Sequence, residues 1–218
     1  MGKIQFISRE QKIVLDEVGK DNFLSSRFYF SGGTALSAFY LQHRYSQDLD
    51  FFSYDKFENQ VIFGIVQKWS KKYNFTFEAR FVEVVYNFNL LFEKGKIIKL
   101  DFAYYPYKQI EKPQIIKGVS VDSLFDIAAN KLLIVSQRSD IKDFVDLYYL
   151  LPQFSIWDLR EAVRAKFNVE IESLLLAADF LKVEDFEFLP KMIKPLRLDD
   201  LKVFFRKMAK ELGTRAVK

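Results

Sequence analysis

Apolar residues recur with helical spacing in some stretches of the chain and alternate in others, and the switches between the two periods divide it into elements. Behind Ser8-Arg-Glu-Gln11, which has the spacing of a capping box, Ile13, Val14, Leu15 and Val18 continue an apolar face, predicting a helix over residues 9–19. The apolar run Phe28 to Phe30 predicts a strand, closed by Gly32-Gly33 and followed by a helix-like segment from Thr34 to Gln42. Around Asp48-Leu-Asp-Phe-Phe52 the pattern alternates, predicting a strand with Leu49 and Phe51 on one face and Asp48 and Asp50 on the other. Val61, Ile62, Ile65, Val66 and Trp69 mark one side of a second helix, Val61 to Tyr73. Thr76 to Val85, Tyr86 to Glu93 and, after Gly95, Lys96 to Tyr105 predict three more strands. From Val121 the period is helical: Val121 to Arg138 with a cap at Ser120 or Asp122, then Arg138 to Leu151. Beyond Pro152 the expected helices are Ser155 to Phe167, Ile171 to Leu181 and Leu198 to Leu212, with breaks near Asn168, Pro190 and Pro195.

Two carboxylates at i, i+2 on one strand face make a site for a hard cation. Such oxygen ligands suit Mg²⁺, which takes one or two carboxylates, several waters and substrate phosphates. The Gly32-Gly33 turn between a strand and a helix lets backbone approach an anion closely, which adds a phosphate cradle to the metal site. Asp101, on the strand Lys96 to Tyr105, is a third acid. If that strand lies beside the one carrying Asp48 and Asp50, three carboxylates converge, and two metal ions about 3.5–4 Å apart clamp a phosphoryl displacement; the alternative is that Asp101 pairs with Lys99 or another cation. Lys131 interrupts an apolar surround and either snorkels to water or reaches inward to an anion. Asp143 and Asp146 are i, i+3 neighbours that either orient Lys131 or Arg138 or are ordinary surface charges. His43, the single histidine, has no evident partner and reads as structural.

Composition narrows the classes. With no cysteine, disulfides, a thiolate nucleophile and a Cys-based zinc site are all excluded, and the chain suits a reducing cytoplasm. No apolar run reaches the roughly 18 residues of a membrane span, and the N-terminal residues lack the apolar core of a signal peptide. The net charge of +4 is spread evenly, so charge neither demands nor excludes RNA. Lys202, Arg206, Lys207 and Lys210, followed by Arg215 and Lys218, form a basic helix face that is either solvated or a phosphate contact. The 24 Phe and 11 Tyr are expected to be mostly core.

The combination Gly32-Gly33-Thr34-Ala35-Leu36, then Tyr40-Leu41-Gln42-His43-Arg44-x-Ser46-x-Asp48-Leu49-Asp50-Phe51-Phe52, resembles the signature of the AbiEii/AbiGii-type nucleotidyltransferases, toxin components of type IV toxin–antitoxin and phage-abortive systems. Lys99-Leu-Asp101-Phe102, Asp126 to Lys131, and Arg138-x-x-x-Lys142-Asp143-x-x-Asp146-Leu147 resemble that family's downstream motifs. The resemblance spans about residues 28–151 and implies an α+β, polymerase-beta-like nucleotidyltransferase fold: a mixed sheet with flanking helices, then a helical C-terminal domain. The expected domains are residues 1–118, the α/β core with its N-terminal helix, and residues 119–218, the helical domain carrying Lys131 and Asp143.

It further implies that Asp48, Asp50 and Asp101 hold Mg²⁺ or Mn²⁺, that Gly32, Gly33 and Thr34 cradle the triphosphate of an NTP, and that Lys131 and Asp143 match later essential positions. Asp101 is metal ligand or base. Arg44 and Ser46 orient the turn or contact phosphate, Arg44 having an equal claim as partner of an acid. Two departures stand out: related enzymes commonly have Gly-Ser where this chain has Gly-Gly, and Asp126 lies five residues before Lys131 rather than four. The implied acceptor is a hydroxyl of RNA, particularly a tRNA 3′ end, with a cognate antitoxin as functional partner. A small-molecule nucleotidyltransferase of the antibiotic-modifying kind and a non-catalytic NTP-binding module are the alternatives.

Overall fold

A computed structural model describes residues 7–216, with side chains to Thr214, so the Arg215 side chain and Lys218 of the expected basic face lie outside the described residues. The chain forms two compact units, one from the residues up to Phe39 and from Ser46 to Ser123, the other from Tyr40–Tyr45 and from Leu124 onward.

The first unit is built on a seven-stranded mixed sheet. Its strands are β1 (Tyr29–Ser31), β2 (Leu49–Ser53), β3 (Thr76–Val82), β4 (Val85–Phe92), β5 (Lys96–Tyr104), β6 (Gln114–Ile116) and β7 (Val119–Val121), in the order β3-β4-β5-β2-β1-β7-β6. β2 runs parallel to β5 and β1 parallel to β7, and the remaining pairs are antiparallel. Four helices accompany it: α1 (Arg9–Lys20), α2 (Asn22–Arg27), α3 (Gly32–Ala35) and α4 (Asn59–Tyr73). Both halves of the expected capping box start α1, with Ser8 and Gln11 exchanging side-chain-to-backbone bonds of 2.8 and 3.1 Å. α4 ends where Asn74 turns left-handed at φ 52°, a conformation asparagine tolerates.

Alternation along β2 is that of a sheet covered on one face: Leu49 and Phe51 are buried, whereas Asp50 and Phe52 are only half-buried. Phe30, Phe51, Phe88 and Phe102, from four different strands, are fully buried, and Phe51 stacks on Phe102 with ring centroids 5.4 Å apart. Each such ring contributes about 1.5–3 kcal/mol by leaving water, so these phenylalanines are scaffold.

The second unit contains α5 (Leu124–Gln137), α6 (Ile141–Leu150), α7 (Ile156–Phe167), α8 (Ser173–Leu181) and α9 (Leu198–Ala216). Phe144, Phe180 and Phe205 meet edge to face at its centre, with centroids 5.0 Å apart in each contact of Phe205. Asp140 caps α6 and Ser155 caps α7. None of the described helices is long and apolar enough to cross a membrane.

Three expectations are corrected. The helix expected from Val121 begins at Leu124, because Val119–Val121 forms β7 between β1 and β6; Ser120 lies within that strand and Asp122 is a buried residue just beyond its end. The helix expected from Arg138 begins at Ile141, where the Asp140 side chain accepts from the Lys142 N–H. The segment Thr34 to Gln42 is split: α3 passes into a π-helical turn, Leu36–Leu41, and Gln42 leaves it with φ 50°. π-Turns commonly occur where a local sequence serves a site.

Within the second unit, Lys166 of α7 reaches Asp126 of α5 at 2.7 Å, and neither side chain has any exposure. Breaking a fully buried ion pair is costly, so Lys166→Met should lower stability by about 3–5 kcal/mol in urea unfolding. Unchanged stability would show that the pair contributes nothing net to the fold.

Candidate active site

In the first unit, the sheet register gathers a polar row. β1 sets Ser31 against Asp50 of β2, β2 sets Asp50 against Asp101 of β5, and β5 sets Asp101 against Asn87 of β4. Cross-strand partners stand on one face, so these four side chains line up beside one another. Asn87 Nδ2 donates to Asp101 Oδ1 at 2.9 Å, and Lys99 Nζ lies 3.7 Å from Oδ2. Asp101 thus has Asp50 as its strand neighbour and Lys99 as its ion-pair partner together. Asp48 lies one residue before β2 and is half-buried.

The glycine turn abuts this row. Gly32 has φ +76°, and a Cβ added there would run into the Asp50 carboxylate, so both conformation and space require glycine. Thr34 Oγ1 donates to Ser46 Oγ at 2.8 Å, tying α3 to the segment before Asp48. Gln11 Nε2 donates to the carbonyls of Ser46 and Gln47, both at 3.1 Å, so the capping glutamine of α1 also secures the loop that delivers Asp48.

These donors are carboxylate and hydroxyl oxygens, a set suited to Mg²⁺ or Mn²⁺ rather than to a soft metal. Among the described residues no group of three His, Cys, Asp or Glu side chains is placed to hold an ion alone.

The second unit carries a buried ionic cluster. Lys131 Nζ lies 2.7 Å from both Asp143 Oδ1 and Asp146 Oδ2, so the lysine points inward and its partners are acids. Arg44 forks onto Asp146, Nε to Oδ1 at 2.6 Å and Nη2 to Oδ2 at 2.8 Å. His43 Nε2 is 2.7 Å from Asp146 Oδ1, and Arg138 closes the cluster from the surface, its Nε donating to Asp143 Oδ2 at 2.9 Å. The chain around Arg44 is pinned as well: Arg44 forms a β-bridge with Met192, and the His43 carbonyl accepts from the N–H groups of Ile193 and Lys194. Of the two roles open to Arg44, the structure shows the acid partner.

Burial alone would neutralise these groups, but their mutual attraction prevails. Asp146 is pushed up by burial and held well below the usual carboxylate range by Lys131, Arg44 and His43. Lys131 and Arg44 are pushed down by burial and end above their ordinary values because of Asp146 and Asp143. For His43 burial wins: with Arg44 and Lys131 it outweighs Asp146, and the imidazole stays below its ordinary value. Nε2 then carries the proton shared with Asp146, and Nδ1, which has no hydrogen-bond partner, keeps its lone pair.

Sequence reasoning passed over Asp146 as the centre of this cluster and over Ser31 and Asp122 beside the glycine turn. Spacing pointed to Asp146 only as a neighbour of Asp143; Ser31 and Asp122 become visible only through strand register.

Gly32→Ala should lower stability by about 1–3 kcal/mol from the left-handed backbone alone and displace Asp50; wild-type stability and activity would contradict the close approach. His43 yields a pH signature. Because its folded value is depressed, the unfolded chain takes up the proton first, and stability falls as pH drops through about 6.5, by at most about 1.4 kcal/mol per pH unit. With one histidine in the chain, His43→Gln should flatten urea-unfolding stability between about pH 7.5 and 5.5; a slope equal to wild type would assign the effect elsewhere.

Comparison with known proteins places this geometry. The family described as "Nucleotidyl transferase AbiEii toxin, Type IV TA system" matches residues 14–217. An uncharacterized protein of Aquifex aeolicus (strain VF5) is 29% identical over 213 residues, covering 94% of this chain and 97% of its own. Two solved structures share the fold at 18% identity: a Helicobacter pylori protein named as a candidate nucleotidyltransferase, TM-score 0.61, covering 96% of this chain and 97% of its own, and the nucleotidyltransferase toxin MenT4 of Mycobacterium tuberculosis H37Rv, TM-score 0.52, covering 93% and 84%. With a glycine turn set against a carboxylate strand in a mixed sheet, and a family match along nearly its whole length, the chain belongs to the AbiEii nucleotidyltransferase toxin family of type IV toxin–antitoxin systems.

Proposed function

We propose that the protein transfers a nucleoside monophosphate from an NTP to a hydroxyl of RNA, at the 3′ end of tRNA, in a Mg²⁺-dependent reaction. It would act in the cytoplasm as the toxin of a type IV toxin–antitoxin or abortive-infection system, countered by a cognate antitoxin that need not bind it. The observation that carries the reading is the register placing Asp50 between Ser31 and Asp101, with its carboxylate against the Gly32 turn.

In this reading the backbone at Gly32 and Gly33 approaches the triphosphate, which glycine permits, and Thr34 and Ser46 hold the turn through their mutual hydrogen bond. Asp48 and Asp50 are the side chains that would hold the cation, with Asp101 beside them. Bound there, a divalent ion supplies charge neutralisation at the reacting phosphate. Asp101 takes the proton of the attacking hydroxyl on its carboxylate as the new P–O bond forms and pyrophosphate leaves. Lys131, its ammonium held between Asp143 and Asp146, and Arg44, forked onto Asp146, are in this reading positioning residues of the helical unit.

The RNA acceptor rests on the family reading. On α9, Arg206 is paired with Glu184, Lys202 donates to the Glu184 carbonyl and Lys207 lies 3.9 Å from Glu211, which leaves Lys210 as the more available basic group for phosphate.

Transfer from each of four α-labelled NTPs with Mg²⁺ to total RNA and to protein tests the proposal. Label should enter tRNA with wild type and fall at least about 100-fold in Asp48→Ala and Asp50→Ala, the scale of losing a charge-stabilising group. Full activity in either variant would overturn the cation assignment; label in protein or in neither fraction would overturn the RNA acceptor.

A further inference from the structure

A fourth carboxylate extends the acid row beyond the residues assigned above. Parallel pairing sets Phe30 of β1 against Val121 of β7, which makes Ser31 and Asp122 the next residue on each strand. The Asp122 N–H donates to the Phe30 carbonyl at 2.9 Å, and Ser31 Oγ donates to Asp122 Oδ2 at 2.8 Å. Gln109 Nε2 donates to the other oxygen, Oδ1. Asp122 has no exposure and Ser31 only 1%.

Phe30 and Val121, one residue earlier on each strand, face the other side of the sheet, where they are fully buried and apolar, so Ser31 and Asp122 share the face of Asp50. Burying a carboxylate and a hydroxyl there costs desolvation that two apolar side chains would avoid, and such replacements are often neutral or stabilising. Chemistry gives the pair a use. A hydroxyl has one proton, and that of Ser31 is given to Asp122, so its oxygen can only accept from anything else. Ser31 is also the strand partner of Asp50 and directly precedes Gly32. An oriented acceptor therefore stands on the same face as the proposed cation ligand, and a hydrated divalent cation brings water O–H donors that need acceptors.

We propose that Ser31 is a positioning residue of the cation site, its oxygen oriented by Asp122 to accept from water on a bound divalent cation. The proposal rests on the assignment of Asp50 as a cation ligand. It gives a hydroxyl role to the residue preceding the glycine pair, in a chain that has glycine where related enzymes have serine.

Titration of free Mn²⁺ by electron paramagnetic resonance, with the full chain and a non-hydrolysable NTP analogue, reads this without turnover. Ser31→Ala should weaken Mn²⁺ binding about 10–100-fold, the range for loss of a group supporting metal ligands. Asp122→Asn should weaken it as well, and Ser31→Thr, which restores the hydroxyl, should return most of the affinity. Urea unfolding of each variant separates this from loss of fold. Wild-type affinity in folded Ser31→Ala, with affinity lost in Asp50→Ala, overturns the proposal and leaves the cation assignment standing; a Ser31→Thr no better than Ser31→Ala also counts against it. Mn²⁺ binding retained in Asp50→Ala removes the cation assignment and this proposal with it.

Discussion

The constraint on which the first unit depends is the close approach of the Asp50 carboxylate to the Gly32 backbone. β1 and β2 are antiparallel neighbours, so the end of one strand and the beginning of the other meet at the turn, and the turn must be left-handed to enter α3. Only a residue without Cβ satisfies both demands. The same meeting point brings the Asp50 carboxylate and the glycine backbone to one place. Core residues serve that geometry: the stacked rings of Phe51 and Phe102 fix the relative height of β2 and β5, and with it the adjacency of Asp50 and Asp101.

Charge is handled differently in the two units. In the sheet, Asp50 and Asp101 are half-buried, and Lys99 is an ion-pair partner of Asp101 at 3.7 Å. The helical unit instead buries Lys131 and Arg44 against Asp143 and Asp146, with His43 neutral among them. The two buried cations and two buried acids balance one another, Arg138 adds a third cation from the surface, and the charge-assisted hydrogen bonds offset part of the desolvation.

How much of this was legible in sequence depended on range. Local periodicity and caps located α1 and α4 and the strands β3 to β5 closely, because each of those patterns is complete within its own stretch. The family signature was legible for a similar reason, being concentrated between Phe28 and Phe52. What could not be read was pairing. β7 is three residues long, too short for a period to register, and it runs straight into an apolar helical stretch that absorbs it into one pattern. The order β5-β2-β1 inserts the β3–β4 hairpin between strands that end as neighbours, so nothing in the spacing of Asp50 and Asp101 says that they sit side by side. Arg44 and Asp146 are about a hundred residues apart, and a fork between them is a property of the fold.

The balance of charge inside the helical unit constrains substitution there. Arg44, Lys131, Asp143 and Asp146 are each bound to at least one of the others, and Arg138 also holds Asp143, so replacing any one alone unbalances the charge around the rest. Substitutions at these positions are therefore coupled rather than additive in stability, and a paired exchange disturbs the interior less than either single step.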